Sequence, residues 1–158
     1  MVKNVYLFNN FFKKNNLLNL FNIILLVSID IISKNYIVKY IKLYDSYYVN
    51  SYLNFTYLKN YGIIFGFFSK NYFHNILLII NIIILSIIFF FIKYKYNILS
   101  YNFIISGILG NLINRINYGF VIDFIDLHIY HYHLPIFNIA DILIFIGIFI
   151  LIINYYIL

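Results

Sequence analysis

The sequence contains no cysteine and no glutamate, and these two absences exclude several kinds of chemistry. Without cysteine, the chain can form no disulfide, no thiolate nucleophile and no zinc–thiolate site. Without glutamate, any carboxylate chemistry must use the five aspartates of the chain. These are Asp30, Asp45, Asp123, Asp126 and Asp141.

Charged residues of both signs are scarce: they make up 10% of the 158 residues, whereas 64% of the residues are hydrophobic. A soluble domain is about half apolar and about a quarter charged, so a water-soluble fold would lack the charges to coat its surface. A lipid bilayer suits such a chain. The lysines behind the net charge of +6 are scattered over flanks and loops. This pattern fits anchoring at lipid headgroups and argues against nucleic-acid binding, which needs a basic stripe.

Arginine, proline and alanine each occur only once, and all three fall in one part of the chain. The sole arginine is Arg115, the sole proline is Pro135 and the sole alanine is Ala140. In a sequence dominated by Ile, Asn, Phe, Tyr, Leu and Lys, such rare residues are informative. They direct attention to residues 110–141.

Four stretches are long and apolar enough to span a bilayer, which takes about 20 residues. They cover residues 15–33, 71–92, 96–114 and 136–158. We therefore predict an all-α polytopic membrane protein with four transmembrane helices, in which residues 1–158 form a single domain. No small-residue cleavage site follows the first stretch, so we interpret it as an uncleaved anchor.

The connections between these spans predict which loops share a membrane face. Residues 93–95 form a very short turn, so the longer loops, about 34–70 and 115–135, lie on the opposite face. Each face carries five lysines, and the positive-inside rule therefore leaves the orientation open. The segment about 36–58 is rich in Tyr, also contains Val, Ile and Thr, and alternates between 49 and 57. It predicts a small sheet on the membrane surface.

On this topology, many polar residues reach the same membrane face. Charged groups at the edge of the hydrocarbon are costly and indicate function by default. The candidate positions are Asp30, Lys34, Asn60, Gly62, Asn111, Asn114, Arg115, Asp123, Asn138 and Asp141.

Two aspartates at this face could form an acid–base pair. Two carboxylates placed close together in an apolar setting do not both ionise readily, so one of them can hold a proton near neutral pH. Aspartic proteases use such a pair to activate water and polarise the scissile carbonyl. Asp123 is the natural partner of Asp141, but Asp126 competes and spacing does not separate them. Alternatively, each aspartate caps a helix or pairs with Arg115 or Lys34.

Three histidines cluster in the loop that follows the third span. His131 and His133, with His128 nearby, could meet a metal ion. However, the chain has no H-E-x-x-H pattern and no glutamate to act as its base. We therefore expect no metal site and interpret the cluster as part of an interfacial loop.

Four segments resemble the motifs of bacterial lipoprotein signal peptidases (signal peptidase II). The family patterns are Asp-Gln-x-Ser/Thr-Lys, Asn-x-Gly-x-x-Phe, Gly-Asn-x-x-Asp-Arg followed by Val-x-Asp-Phe, and Phe-Asn-x-Ala-Asp. The matching residues here are 30–34, 60–66, 110–115 with 121–125, and 137–141. Each motif is weak alone, but all occur in order within about residues 20–150.

The resemblance implies an aspartic endopeptidase of the bacterial inner membrane that uses no metal and no cofactor. Its substrates would be diacylglyceryl-modified prolipoproteins, cut just before the lipidated cysteine to release the signal peptide. Asp123 and Asp141 fall on the catalytic positions. The supporting positions are Asn60, Gly62, Asn111, Arg115, Asn138, Asp30 and Lys34.

The resemblance also implies that both chain ends are cytoplasmic, with the active site at the extracytoplasmic surface. We expect a monomer that meets its substrate among membrane lipids. Two positions depart from the family pattern, with Ile31 in place of glutamine and Asn114 in place of aspartate.

Two other functions are compatible with a small membrane protein. A transporter or ion-conducting subunit could use Asp30 and Asp141, and it would need a polar track through the whole membrane. A noncatalytic assembly subunit would be expected to have lost acids from the motif positions, yet Asp123 and Asp141 are both present.

Overall fold

The computed structural model describes residues 15–62, 79, 83 and 98–157. The second predicted span, 71–92, therefore lies outside the described residues, apart from the helical Ile79 and Ile83. In chain order the elements are α1 (Asn15–Tyr40), β1 (Ser46–Asn50), β2 (Leu53–Asn60), α2 (Ile98–Tyr118), β3 (Val121–Ile129), β4 (Tyr132–His133) and α3 (Ile139–Ile157).

Helix α1 is longer than the sequence pattern predicts, because it continues past Ser33 to Tyr40. Its last turns are not part of the predicted sheet. Ile37 explains the difference: it is buried in a core with Tyr57 of β2 and Phe124 of β3. Burial of this side chain by tertiary contacts overrides the local preference of a β-branched residue for strands.

The apolar surface of the helices fits a membrane environment. Among the described residues, Leu17–Tyr40 is the one helix long and apolar enough to cross a membrane, and Ile139–Asn154 is a shorter apolar helix. Large apolar side chains of α1 such as Phe21 and Ile24 are more than half exposed. The full set of four transmembrane helices stays a prediction.

The four strands form one antiparallel sheet in the order β1-β2-β3-β4. The predicted all-α class is therefore wrong, and the fold combines helices with a small sheet. The predicted β-rich segment, 36–58, contributes β1 and most of β2, but β3 and β4 come from the predicted loop 115–135. Pairing between β2 and β3, such as Asn60 with Val121, joins residues far apart in sequence, and a local pattern does not reveal it.

Small residues let α2 and α3 approach closely. A Cβ added at Gly107 would collide with the carbonyl oxygen of Ala140, and one at Gly147 would lie 2.5 Å from Cγ1 of Ile104. Helices packed through glycine bring their backbones near each other. The first turn of α3 is thereby pressed against α2.

A backbone bridge ties the residues before α3 to the sheet. Ile125 of β3 and Phe137 exchange hydrogen bonds, with N···O distances of 2.8 and 3.2 Å. Asn138 follows directly, so the start of α3 lies beside β3. The helices and the sheet meet at this point, and the candidate site is built there.

Candidate active site

The first turn of α3 is closed by a reciprocal pair of hydrogen bonds. The backbone N–H of Asp141 donates to Oδ1 of Asn138 (3.0 Å), and the backbone N–H of Asn138 donates to Oδ2 of Asp141 (3.2 Å). This is a capping box, which satisfies donors that the first helical turn leaves free. Asp141 is thus a helix-capping residue, as one of the alternatives from the sequence proposed, and its position is fixed by the backbone.

Asp30 and Lys34 form a completely buried ion pair on successive turns of α1. Their Oδ2 and Nζ atoms are 2.7 Å apart, and both side chains are fully shielded from solvent. The second oxygen of Asp30 accepts the backbone N–H of Ala140 at 2.9 Å. Because a buried charge needs a partner and hydrogen bonds, the pair fixes α1 against the start of α3.

Asn111 of α2 links this ion pair to Asp141. Its Oδ1 accepts a hydrogen bond from Nζ of Lys34 (2.9 Å), and its Nδ2 donates to Oδ1 of Asp141 (2.8 Å). Since an ammonium group is only a donor, the amide oxygen must face Lys34 and the NH₂ group must face Asp141. Asn111 therefore presents a donor to that carboxylate.

Asp123 of β3 accepts a hydrogen bond on each of its carboxylate oxygens. Asn138 donates to Oδ1 at 2.6 Å, and Asn60 donates to Oδ2 at 2.8 Å. The oxygen of Asn60 accepts the N–H of Gly62 at 2.7 Å, in a turn where Gly62 has φ +81°. A positive φ suits glycine, and this turn orients the amide of Asn60 toward Asp123.

The two proposed catalytic aspartates are joined through one residue. Asn138 donates its side-chain N–H to Asp123 and its backbone N–H to Asp141. Asn138 is fully buried, Asp123 is almost fully buried and Asp141 is partly exposed. The structure therefore brings together acids that are separated by 18 positions in the sequence.

The pKa of Asp123 reflects this setting. The pKa of this carboxyl is raised from 3.8 to about 6, mainly by burial and also by the negative charge of Asp141. Hydrogen bonds from Asn60 and Asn138 and the positive charge of Lys34 act in the opposite direction. A carboxyl group with a pKa near 6 can both hold and release a proton close to neutral pH.

Asp126, which competes with Asp123 in the sequence pattern, lies in a different environment. Its Oδ1 is 2.7 Å from Nδ1 of His133, and Nδ2 of Asn54 lies 3.5 Å from its other oxygen. Side chains alternate across a strand, so an odd spacing of three residues in β3 places the two acids on opposite faces. Among the described contacts, only Asp123 shares a partner with Asp141.

Arg115 lies in the last turn of α2 and is partly buried. Within the described ranges its guanidinium forms no ion pair with an aspartate. The negative charges of Asp141 and Asp123 act on it. Arg115 is thus a cation beside the two acids, without a fixed carboxylate partner in the described part of the chain.

Asn114 has a structural role that the sequence did not indicate. Its buried Oδ1 accepts the backbone N–H of Ile122 at 3.2 Å, which holds the start of β3 against the end of α2. The carboxylate that the family carries at this position could accept the same hydrogen bond. Although Asn114 departs from the family pattern, it therefore retains the hydrogen bond to Ile122 that positions the neighbouring Asp123.

Nearly all of the residues predicted from the sequence thus form one connected hydrogen-bond network. Arg115 and Asn114 are the exceptions among the described residues: Arg115 lies beside the network without a side-chain bond to it, and Asn114 binds the backbone of Ile122 instead. The connected members are Asp30, Lys34, Asn60, Gly62, Asn111, Asp123, Asn138 and Asp141.

Comparison with known proteins identifies relatives that cover most of the chain. A lipoprotein signal peptidase of Buchnera aphidicola subsp. Acyrthosiphon pisum (strain Tuc7) is 45% identical over 141 residues, covering 84% of this chain and 88% of that protein. A lipoprotein signal peptidase of Wigglesworthia glossinidia brevipalpis is 42% identical over 139 residues, covering 84% and 90%.

Solved structures of similar fold are membrane proteins. Two structures described as bacterial membrane enzymes, obtained by the in meso method at 2.3 and 1.9 Å resolution, superpose with TM-scores of 0.75 and 0.78. They are 35% and 34% identical to this chain and cover 87% of it, with 87% and 91% of their own chains covered. The family profile described as signal peptidase (SPase) II matches residues 22–157. This chain therefore belongs to the signal peptidase II family, a family of bacterial membrane peptidases.

Proposed function

We propose that this protein is an aspartic endopeptidase that removes the signal peptide from diacylglyceryl-modified prolipoproteins, cutting before the lipidated cysteine. Asp123 and Asp141 are its catalytic acids. The observation that carries the proposal is the double hydrogen bond of Asn138 to both carboxylates. One buried residue holds two acids from different elements in a fixed relation, as an acid–base pair requires.

The charges around the site support a shared proton. Asp30, Asp123 and Asp141 contribute three negative charges when ionised, and Lys34 and Arg115 contribute two positive charges. A partly buried site is most stable when its net charge is close to zero. A single proton on the pair of catalytic acids brings the net charge of these five groups to zero. The raised pKa of Asp123 agrees with such a proton at mildly acidic pH.

In the proposed reaction, the ionised aspartate takes a proton from water while the water oxygen attacks the scissile carbonyl carbon. The protonated aspartate gives its proton to the carbonyl oxygen, and a tetrahedral intermediate forms. The C–N bond then breaks as the leaving nitrogen takes up a proton from the first aspartate and one hydroxyl group of the intermediate returns its proton to the second aspartate. The products are a signal peptide with a free carboxyl group and a lipoprotein with a free amino group.

The supporting residues hold the two acids rather than react. Asn111 and Asn138 fix Asp141, and Asn60 and Asn138 fix Asp123, so few rearrangements are needed when charge develops. Arg115 lies beside the acids with its charge unpaired among the described residues. We assign it to the substrate, as the group that positions the polar backbone around the scissile bond.

The placement of the site suits a substrate that arrives within the bilayer. Exposed apolar residues cover α1, and the sheet above the site exposes Tyr47, Tyr48 and Tyr52, each about two-thirds exposed. Tyrosine is enriched at membrane–water interfaces. The scissile bond would thus meet the acids near the headgroups, at the extracytoplasmic face of the inner membrane, with both chain ends cytoplasmic.

The contacts of Asp30 argue against the transporter alternative. A carboxylate that carries protons or cations must exchange with water, whereas Asp30 is fully buried and bound to Lys34 and to the backbone of Ala140. Asp30 therefore acts as a structural residue that joins α1 to the start of α3. The proposal needs no cofactor and no metal for catalysis, and one polypeptide chain supplies every residue of the site.

The deciding experiment uses the full chain in detergent or lipid with a diacylglyceryl-modified prolipoprotein. Asp123→Asn and Asp141→Asn should each abolish release of the signal peptide. Asn at position 141 can still accept the N–H of Asn138, so that variant loses the acid while its helix cap remains possible. Exposed Asp45 offers the matched control, and Asp45→Asn should retain activity.

Asp126→Asn tests the choice between the two neighbouring acids. It should retain cleavage, since the described contacts of Asp126 do not include Asp123 or Asp141. Loss of cleavage in Asp126→Asn together with activity in Asp123→Asn would reject the assignment. Thermal unfolding of each variant would distinguish a lost catalytic group from a lost fold.

A further inference from the structure

A second cluster of polar side chains lies on the hairpin of β3 and β4, on the sheet face away from Asp123. Asp126, His128 and His133 each offer one metal-binding atom, and these atoms all lie within 4.8 Å of one another. The proposed peptidase reaction uses none of them. We propose that the three side chains form a zinc site, separate from catalysis, that fastens this hairpin.

The hairpin backbone brings the ligands together. His128 pairs directly with His133 across the two strands, and Asp126 is two residues earlier, on the same face of β3. The turn between the strands contains Tyr130 at φ +53°, a conformation uncommon for a residue with a side chain. A tight turn of this kind leaves little freedom in the register, so the two histidines stay opposite each other.

The side chains are already close to the spacing that a metal needs. The two imidazole rings stack with their centroids 4.9 Å apart and their planes 19° apart, and Nδ1 of His133 is 2.7 Å from Oδ1 of Asp126. Around a tetrahedral zinc ion with bonds of about 2.0 Å, ligand atoms lie about 3.3 Å apart. Partly exposed His128 and exposed His133 can make the adjustments of up to about 1.5 Å that binding requires.

The chemistry of the ligand set favours zinc-type ions. Two imidazoles and one carboxylate suit Zn²⁺, and copper competes strongly for such sites, whereas calcium and magnesium prefer sites made only of oxygen atoms. Asp126 is nearly buried, and its second oxygen faces Nδ2 of Asn54 at 3.5 Å. A ligand held by a neighbouring amide in this way has its orientation set before the metal arrives.

Metal binding at this position would join the two strands that precede the start of α3. β3 carries Asp123, and the chain leaves β4 toward Asn138 and Asp141. The metal would therefore stabilise the segment that connects the catalytic acids, without contacting them. The sequence pattern pointed to His131 with His133. In the structure His131 lies in the turn, and the residues that cluster with His133 are His128 and Asp126.

The test measures zinc on the full chain in detergent, with any affinity tag removed and prior metal stripped by a chelator. After incubation with Zn²⁺ and desalting, the natural sequence should retain one zinc per chain. His128→Ala and His133→Ala should each lose it. The matched control is His131→Ala, which removes a histidine from the same hairpin and should retain the full amount of zinc.

Further measurements identify the ligands. X-ray absorption at the zinc edge should show two imidazoles and oxygen neighbours, and Asn54→Ala should weaken binding by about tenfold. His128 and His133 are at least partly exposed, so their variants test the site without changing the buried carboxylate of Asp126. No bound zinc in the natural sequence, equal loss in His131→Ala, or zinc retained in His128→Ala and His133→Ala would each overturn the proposal.

Discussion

Asn138 and Asp141 hydrogen-bond to each other in both directions at the start of α3, at 3.0 and 3.2 Å, and Asn138 also donates to Asp123 at 2.6 Å. One helix cap is therefore also the connection between the two proposed catalytic acids. This arrangement ties the geometry of the site to the formation of a helix. It also allows the two roles of Asn138 to be separated by substitution.

Asn138→Ala should lose both roles, while Asn138→Ser should lose only one. Serine caps helices about as well as asparagine, and loss of a cap costs about 1 kcal/mol. Neither variant can donate an amide N–H to Asp123, and removal of such a donor slows reactions by about a hundredfold. We expect both variants to lose activity and only Asn138→Ala to lose stability. A fully active Asn138→Ser would show that the cap alone matters.

The pH dependence of cleavage should show an inflection near pH 6, where the carboxyl of Asp123 titrates. Asn60 donates to the ionised form of this group and thereby lowers its pKa. Asn60→Ala should move the inflection to higher pH. Asn54→Ala is the matched control, because Asn54 contacts Asp126 instead, and its inflection should not move.

The same profile reports which role Asp123 plays. If activity falls as the pH drops below the inflection, Asp123 acts in its ionised form as the base. If activity falls as the pH rises above it, Asp123 acts as the acid. An inflection that stays in place in Asn60→Ala would contradict the assignment of this titration to Asp123.

Titration of Asp123 also has a consequence for stability. Its pKa is about 6 in the folded chain against an ordinary value of 3.8, so the folded state binds this proton more tightly than the unfolded state. The stability that this group contributes is present below pH 4 and is lost as the pH rises through 6, on the order of 3 kcal/mol. The active site therefore makes the fold less stable at neutral pH.

The sequence motifs grouped residues that lie close together in the structure because each motif contains its own local geometry. Asn138 and Asp141 are three residues apart, the spacing of a capping box. Asp30 and Lys34 are four residues apart, the spacing of neighbours on a helix. Spacing of this kind is visible in the sequence before any fold is known.

Contacts between distant segments were not visible in the same way. The strand β3 appeared as a loop, since its partner β2 lies about 60 residues earlier and gives no local signal. Without the strand, the alternation that separates Asp123 from Asp126 could not be applied. The anchoring of Ile122 by Asn114 was missed for the same reason, because it depends on the path of the chain after α2.

Two glycines test whether Asp30 positions the site. A methyl group at Gly110 would lie 2.5 Å from Oδ2 of Asp30, whereas one at Gly147 would lie 2.5 Å from Cγ1 of Ile104, away from the acids. Both Gly110→Ala and Gly147→Ala should cost about 1–3 kcal/mol through overpacking. Only Gly110→Ala should also reduce kcat, because it displaces the carboxylate that holds Ala140. Equal kcat in the two variants would show that Asp30 does not position the site.

The buried pair of Asp30 and Lys34 should separate stability from activity. Lys34→Met leaves Asp30 charged and unpaired, which costs about 3–5 kcal/mol. Adding Asp30→Asn removes that charge, and the new amide oxygen can still accept the N–H of Ala140. The double variant should therefore regain much of the lost stability in thermal unfolding. Its cleavage rate should stay low, since Asn111 loses the hydrogen bond from Lys34 and keeps only the longer one from Asn138 (3.2 Å), which holds its NH₂ group toward Asp141 less firmly. Recovery of both properties would reduce the pair to a packing role, and recovery of stability alone would identify Lys34 as a positioning residue.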